Sequence, residues 1–377
     1  MNEQNIRAVA DAMVQKGLVQ AGYEYLNMDD CWMSKDRDSA GRLQGDLDRF
    51  ASGIKSLADY VHSQGLKFGL YSDRGSLTCA GYPASYQNEA LDAQTFADWG
   101  VDYLKEDNCN AQGGADDKDV AFAQFGLMRD SLNATGRPIF FSVCGGGGNL
   151  PWDDITFFGT DARGGGVLGN SWRISADVTE WQTCQMAARI DMGLTAQGGP
   201  GAFNDPDMLL GTNSASTRYL GQVRSRTQFN LWAVLMAPLL LGSNIVDMNA
   251  FDVETYTNAE VIAVNQDELA VQGSRVRVYE VIVPTVSTSV WARWLADGSV
   301  AVVFMNNLAY DHQVTCDSEC WNALPFVSGT HVDVRDLWAH APASQPTAVS
   351  GQDYVVQVGG NGGSEMFRMI PTGTSMV

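Results

Sequence analysis

The chain has 377 residues, 45% of them hydrophobic and 10% aromatic, and a formal net charge of −20. That length predicts about two domains with a sizeable core, and the acidic balance excludes a nucleic-acid partner, whose phosphates it would repel. No apolar run is long enough to span a membrane, since the longest, "LWAVLMAPLLLG", is short and broken by Pro238.

The opening "MNEQNIRAVADAM" reads as an amphipathic helix and not as a secretory leader, with Ile6, Val9, Ala10, Met13 and Val14 on one face. A repeating unit follows, in which an apolar strand ends in polar residues and an amphipathic helix comes after it. The strand windows are 23–30, 66–73, 101–108 and 138–145, with less regular ones at 171–177, 201–208 and 239–245. Helical stretches such as "GIKSLADYVHSQG" and "EALDAQTFADWG" separate them. This alternation predicts parallel strands with right-handed crossovers, in a doubly wound sheet or a closed (β/α)8 TIM barrel.

The ionisable residues favour the barrel. Asp29, Asp30, Asp73, Lys105, Asp107, Asp177, Asp205 and Asp207 all fall at the C-terminal ends of strand windows, which a barrel gathers around one mouth. The chain starts with a helix, so the first barrel strand is expected to be missing from it. After residue 272 the texture changes to short β-branched segments such as "RVRVYEVIV" and "DYVVQVGG", separated by Gly, Asn or Pro. A catalytic barrel over 1–272 and an antiparallel β domain over 273–377 are therefore expected.

In "VDYLKEDNCN" (101–110), strand alternation puts Val101, Tyr103, Lys105 and Asp107 on one face, so a carboxylate sits beside a cation. "MDDC" sets Asp29 and Asp30 in succession, natural acceptors for neighbouring sugar hydroxyls. A calcium reading lacks the usual DxDxDG-like loop. "NDPDM" puts Asp205 and Asp207 on one strand face, and "SWRISAD" joins Arg173 to Asp177. Tyr71 and Trp172 supply an aromatic rim, and the whole mouth suits a neutral polyol. Two carboxylates on different strands are the minimum for glycoside hydrolysis.

Other chemistries find no support. His62 lies in a helix away from the strand ends, and the remaining histidines lie in the C-terminal domain. "CGGGGNLP" fails the dinucleotide spacing, and HExxH, GxSxG and zinc-site cysteine spacing are absent, so no metal or cofactor is expected. Among seven cysteines, Cys316 and Cys320 in "CDSEC" can close a small loop. Asn133-Ala134-Thr135 is a glycosylation sequon.

"YEYLNMDDCW", "RLQGDLDRFASGIKSLADYVHSQGLKFGLYSD", "TFADWGVDYLKEDNC", "NDPDML" and "AEVIAVNQDELAVQG" together resemble glycoside hydrolase family 27, the α-galactosidases and α-N-acetylgalactosaminidases. The resemblance runs over nearly all of the chain. It implies a (β/α)8 barrel followed by a β-sandwich, and retaining hydrolysis of α-linked galactose without a cofactor. It makes Asp107 the nucleophile and Asp177 the acid/base. Asp29, Asp30, Tyr71, Cys79, Lys105, Arg173 and Asp207 become substrate-binding residues, and Cys79 pairs with Cys109 in a disulfide near the site. A secreted, lysosomal or vacuolar location, a glycoprotein and a homodimer are further expectations.

The chain also departs from the family pattern. The segment that supplies a tryptophan to the sugar pocket and a partner to Cys31 would precede residue 1. Gly145 stands where galactosidases carry Glu and N-acetylgalactosaminidases Ser, which removes an acceptor near the sugar C2. Glu106 replaces an aromatic beside the nucleophile. An α-N-acetylgalactosaminidase and a catalytically silent sugar-binding homologue are therefore the alternatives to an α-galactosidase.

Overall fold

The computed structural model describes residues 1–113, 117–144, 165–178, 198–213, 219–283 and 286–372, with Trp181 and Ala187. By packing, they form two compact units. The first comprises Met1–Asp177 and Gly201–Asp205, the second Val178–Pro200 and Pro206–Val377.

The first unit is a parallel sheet of six strands in chain order, β1 (Tyr25–Asn27), β2 (Lys67–Asp73), β3 (Tyr103–Asp107), β4 (Phe140–Val143), β5 (Ser171–Arg173) and β6 (Phe203–Asp205). Consecutive parallel strands joined by helices are the wall of a (β/α)8 barrel. Helices α1 (Glu3–Gln15), α2 (Ile54–Ser63), α3 (Glu89–Trp99) and α4 (Lys118–Ala134) belong to the connections. Each begins or ends for a local reason. Asn2 and Asp117 cap α1 and α4 by accepting the amides of Asn5 and Val120, and Gly100 closes α3 in the left-handed conformation at φ +80°. Strand β2 is buried at every position but its first, as expected where both faces of a parallel strand are covered.

Two glycines allow close approach within this wall. A Cβ on Gly69 would lie 1.9 Å from Asn27 Oδ1, so glycine there gives the neighbouring side chain its room. A Cβ on Gly75 would lie 2.2 Å from the Cys109 carbonyl, so glycine brings the loop after β2 against the loop after β3. Opposite the mouth, Asp102 accepts the Phe68 amide, pairs with Arg137 and lies 2.7 Å from His62 Nε2. His62 thus belongs to a structural network.

Three expectations are corrected here. The 239–245 window is not a strand and contributes only an isolated parallel bridge, Leu209 to Leu241. Asp207 does not share a strand face with Asp205, because β6 ends at Asp205 and Asp207 turns into positive φ, +81°. Trp172 is fully buried with its Nε1 donating to Asn204 Oδ1 at 2.9 Å, so it packs inside and forms no rim.

In the second unit, β7 (Ser274–Val283), β8 (Val286–Trp294), β9 (Val300–Asn306), β11 (His331–Asp336), β12 (Ala341–Val349) and β14 (Gly363–Pro371) form an antiparallel sheet ordered β12-β11-β14-β9-β8-β7. Strands β10 (His312–Cys316) and β13 (Tyr354–Val358) pair separately. The prolines of β12 are tolerated because it is an edge strand. Val302, Phe304, Trp321, Val356 and Phe367 are among the core residues between them. The Cys316–Cys320 disulfide is fully buried within that core. Arg293 of β8, fully buried, donates to the carbonyls of Ala233, Val264 and Asn265 at 3.2, 2.6 and 2.8 Å, where two helices end.

Candidate active site

The C-terminal ends of β1, β2 and β3 bring the expected residues together. Register pairs Tyr71 with Lys105 and Asp73 with Asp107, so all four side chains face the same side of the sheet. The Tyr71 hydroxyl donates to Asp107 Oδ2 at 2.9 Å, and the Asn108 amide donates to Oδ1 at 2.9 Å. Burial, reinforced by Asp107, Asp73 and Asp30, drives the Tyr71 phenol far above its ordinary pKa, so it stays a donor.

Lys105 donates to Asp29 Oδ2 at 2.7 Å, and its ammonium lies 5.2 Å from the centre of the Tyr71 ring. Burial alone would push this ammonium down. The Cys144 sulfur and the Asp29 and Asp107 carboxylates act the other way and hold it above the usual lysine range. Lys105 is therefore a fixed positive charge beside Asp107.

Asp29 and Asp30 are locally locked. The Asp30 amide donates to Asp29 Oδ1 at 2.7 Å, the Cys31 amide to Asp30 Oδ1 at 2.6 Å, and the Ala80 amide to Asp30 Oδ2 at 2.9 Å. The last bond anchors the loop that carries Cys79. Cys79 is disulfide-bonded to Cys109, and its sulfur lies 3.4 Å from Asp107 Oδ2 and 3.2 Å from the Tyr71 hydroxyl.

Arg173, 5% exposed, reaches Asp177 Oδ1 and the Ser175 carbonyl, each at 3.2 Å. The Asp177 side chain is 72% exposed, so its pairing with the guanidinium is screened by water. In the second unit, Asp207 accepts the amides of Val178 at 2.7 Å and Met208 at 2.8 Å, and its carbonyl accepts Trp232 Nε1 at 2.8 Å. Gly145 lies outside the described residues.

Two residues acquire a place here that their sequence context did not assign. Asp73, fully buried, accepts the amides of Gly75 at 2.6 Å and Cys109 at 2.7 Å, so it clamps the loops that the disulfide joins. Burial outweighs those two bonds and raises its carboxyl to about 8. The unpaired Cys144 packs against Arg173 NH1 at 3.9 Å, and burial raises its thiol well above the usual range. The odd cysteine count and the aspartate at a strand end were the available signals. Glu106 pairs in register with Ser72 on the opposite face from Asp107. It is fully buried without a hydrogen-bond partner, and burial raises it well above the carboxylate range. Its neutral form is the one such surroundings accept.

Comparison with known proteins bears on the family and the fold. Residues 1–267 match the family model described as Alpha galactosidase A, and 285–363 match the Alpha galactosidase C-terminal beta sandwich domain. An alpha-galactosidase of Cyamopsis tetragonoloba is 42% identical over 354 residues, covering 93% of this chain and 79% of that protein. The crystal structure of alpha-galactosidase I from Mortierella vinacea superposes with a TM-score of 0.84 at 30% identity, covering 100% of this chain and 94% of that one. The alpha-galactosidase of Saccharomyces cerevisiae gives a TM-score of 0.86 at 26% identity, covering 99% and 94%.

Proposed function

The chain belongs to the α-galactosidase family, glycoside hydrolase family 27, and on that premise we propose that it is a retaining exo-glycosidase releasing terminal α-linked galactose. The observation that carries the assignment of Asp107 as nucleophile is its setting, with the Tyr71 hydroxyl on one oxygen and the Lys105 charge beside it.

Asp107 attacks the anomeric carbon as the bond to the aglycone breaks, and Asp177 gives its proton to the departing oxygen. A galactosyl ester of Asp107 results. Water then attacks the same carbon, returns a proton to Asp177, and frees both galactose and the Asp107 carboxylate. Two inversions leave the configuration unchanged. Asp177 must begin protonated beside Arg173. An aglycone covering this exposed side chain removes water and favours the acid form, while Arg173 supports the carboxylate once the proton has left. Asp29, Asp30, Arg173 and Asp207 accept or donate to sugar hydroxyls, and the Cys79 sulfur forms part of the pocket wall.

The family models at 1–267 and 285–363 support a catalytic barrel over 1–272 and a β domain over 273–377. Among the described residues no helix is long and apolar enough to cross a membrane. Two disulfides favour a secreted, lysosomal or vacuolar protein, and the exposed Asn133 is available to a glycan there. A homodimer belongs to the same reading and is checked by sedimentation velocity.

The test is parallel hydrolysis of chromogenic α-galactoside and α-N-acetylgalactosaminide by wild type and Asp107→Asn. The expected result is preference for the galactoside, and a loss of at least about a thousandfold in the variant without loss of folding. Preference for the acetamido sugar reverses the substrate assignment. Galactose binding without turnover of either makes the protein a silent homologue.

A further inference from the structure

Asp73, Cys79, Asp107 and Cys109 each place one carboxylate oxygen or sulfur at a common corner, with the four atoms within 4.8 Å of one another. In the oxidised chain the two sulfurs are bonded, and their capacity as metal ligands is used up. Cys79 is exposed, Cys109 and Asp107 are half-buried, and Asp73 is buried. Reagents in solvent therefore reach the disulfide from one side, and an exposed disulfide is the kind that exchanges readily.

We propose that reduction of the Cys79–Cys109 disulfide turns this corner into a Zn2+ site of two thiolates and two carboxylates, which withdraws Asp107 from catalysis. A thiol or phosphine reductant supplies two electrons, the S–S bond breaks, and each sulfur takes up a proton. Zn2+ then displaces both thiol protons and the proton that burial keeps on Asp73, forms two Zn–S bonds, and takes the Asp73 and Asp107 carboxylates to complete a tetrahedron.

The geometry meets the requirements of such a centre. Zn–S bonds of about 2.3 Å and Zn–O bonds of about 2.0–2.2 Å place neighbouring ligand atoms roughly 3.3–3.8 Å apart, so once the S–S bond breaks the two sulfurs, about 2 Å apart while bonded, part to about 3.8 Å and the wider pairs close by about 1 Å. The loops do not depend on the S–S bond alone. Asp73 holds the Cys109 amide, Asp30 holds the Ala80 amide, and Gly75 lets the two loops touch. Both thiols thus stay at the corner after reduction. The mixed donor set selects zinc, because calcium and magnesium require oxygen ligands throughout and copper(I) prefers sulfur alone.

Zinc capture is independent of hydrolysis; only the accompanying loss of activity rests on Asp107 being the nucleophile. The experiment takes the full chain, oxidised or reduced with a phosphine that is then removed without air, and titrates it with Zn2+ and separately with Co2+. The reduced protein is expected to take up one equivalent of zinc and to show a thiolate-to-cobalt charge-transfer band. Its α-galactoside hydrolysis should fall at least about tenfold at micromolar zinc and recover with chelator, while the oxidised protein changes in neither respect.

The band should persist in Cys31→Ser and Cys144→Ser and vanish in Cys79→Ser. Absence of zinc uptake on reduction overturns the proposal, as does a band that follows Cys31 or Cys144. Should Cys79→Ser not fold, Cys316→Ser takes its place, since reduction also opens Cys316–Cys320: a band that survives in that variant upholds the site, and a band lost with Cys316 overturns it. Normal zinc uptake by a protein without hydrolytic activity would instead uphold the metal site and fault the functional reading.

Discussion

Replacing Asp73 by Asn sets burial against hydrogen bonding at one carboxyl. Burial and the nearby Asp107 raise this group from an ordinary 3.8 to about 8, despite the Gly75 and Cys109 amides that favour its ionised form. Between those values the unfolded chain has lost its proton while the folded chain keeps it, so folding takes up a proton and stability falls as pH rises. Some four pH units at about 1.4 kcal/mol each bound the effect at about 6 kcal/mol. The Asn side chain has one acceptor oxygen, so one of the two amides loses its partner, at about 1–3 kcal/mol.

Asp73→Asn should therefore be less stable than wild type at pH 5, and the deficit should shrink or reverse by pH 8. Glu106 is raised by burial as well, so some of the slope should remain. The assay is the thermal or urea midpoint of both proteins across this pH window. Parallel curves would refute the reasoning, because they would mean that Asp73 is ionised throughout and that its two amides outweigh its burial.

Three further outcomes are expected. Tyr71→Phe removes a hydrogen bond to the Asp107 carboxylate, and kcat for galactoside hydrolysis should fall about 10- to 100-fold. An unchanged kcat would show that the phenol does not support Asp107 in the reaction. Asp177→Asn removes the proposed proton donor, so galactosides with alkyl leaving groups should lose far more of their first-step rate than activated aryl galactosides, as single-turnover kinetics would show. Equal losses would place the acid elsewhere. Arg293→Leu leaves the Ala233, Val264 and Asn265 carbonyls without their buried donor and should lower stability by about 3 kcal/mol in urea unfolding. A variant as stable as wild type would mean that those carbonyls find other donors.

The alternation of apolar strands and amphipathic helices was legible because parallel strands covered on both faces leave apolar runs, as in β2. The shared face of Lys105 and Asp107 followed from period-two geometry alone. What period two cannot show is where a strand stops. The 201–208 window contains a strand that ends at Asp205, and Pro206 and the left-handed Asp207 redirect the chain beyond it. In 171–177, the strand ends at Arg173, and Asp177 meets the guanidinium from the loop. Trp172 was misplaced because alternation says which residues share a face but not which face is covered. The loop-clamping position of Asp73 was hidden for another reason, since its partners are backbone amides with no side-chain signature.

One further consequence concerns stereochemistry. Both oxygens of Asp30 hold backbone amides, those of Asp107 hold Tyr71 and Asn108, and Asp29 is tied to Lys105 and to the amide of Asp30. None of these carboxylates can swing toward a misplaced hydroxyl without breaking a bond it already has. On the proposed reading, a sugar with one carbon inverted meets acceptors that stay where they are. Discrimination between epimers then arises from the immobility of the pocket as much as from the number of its contacts.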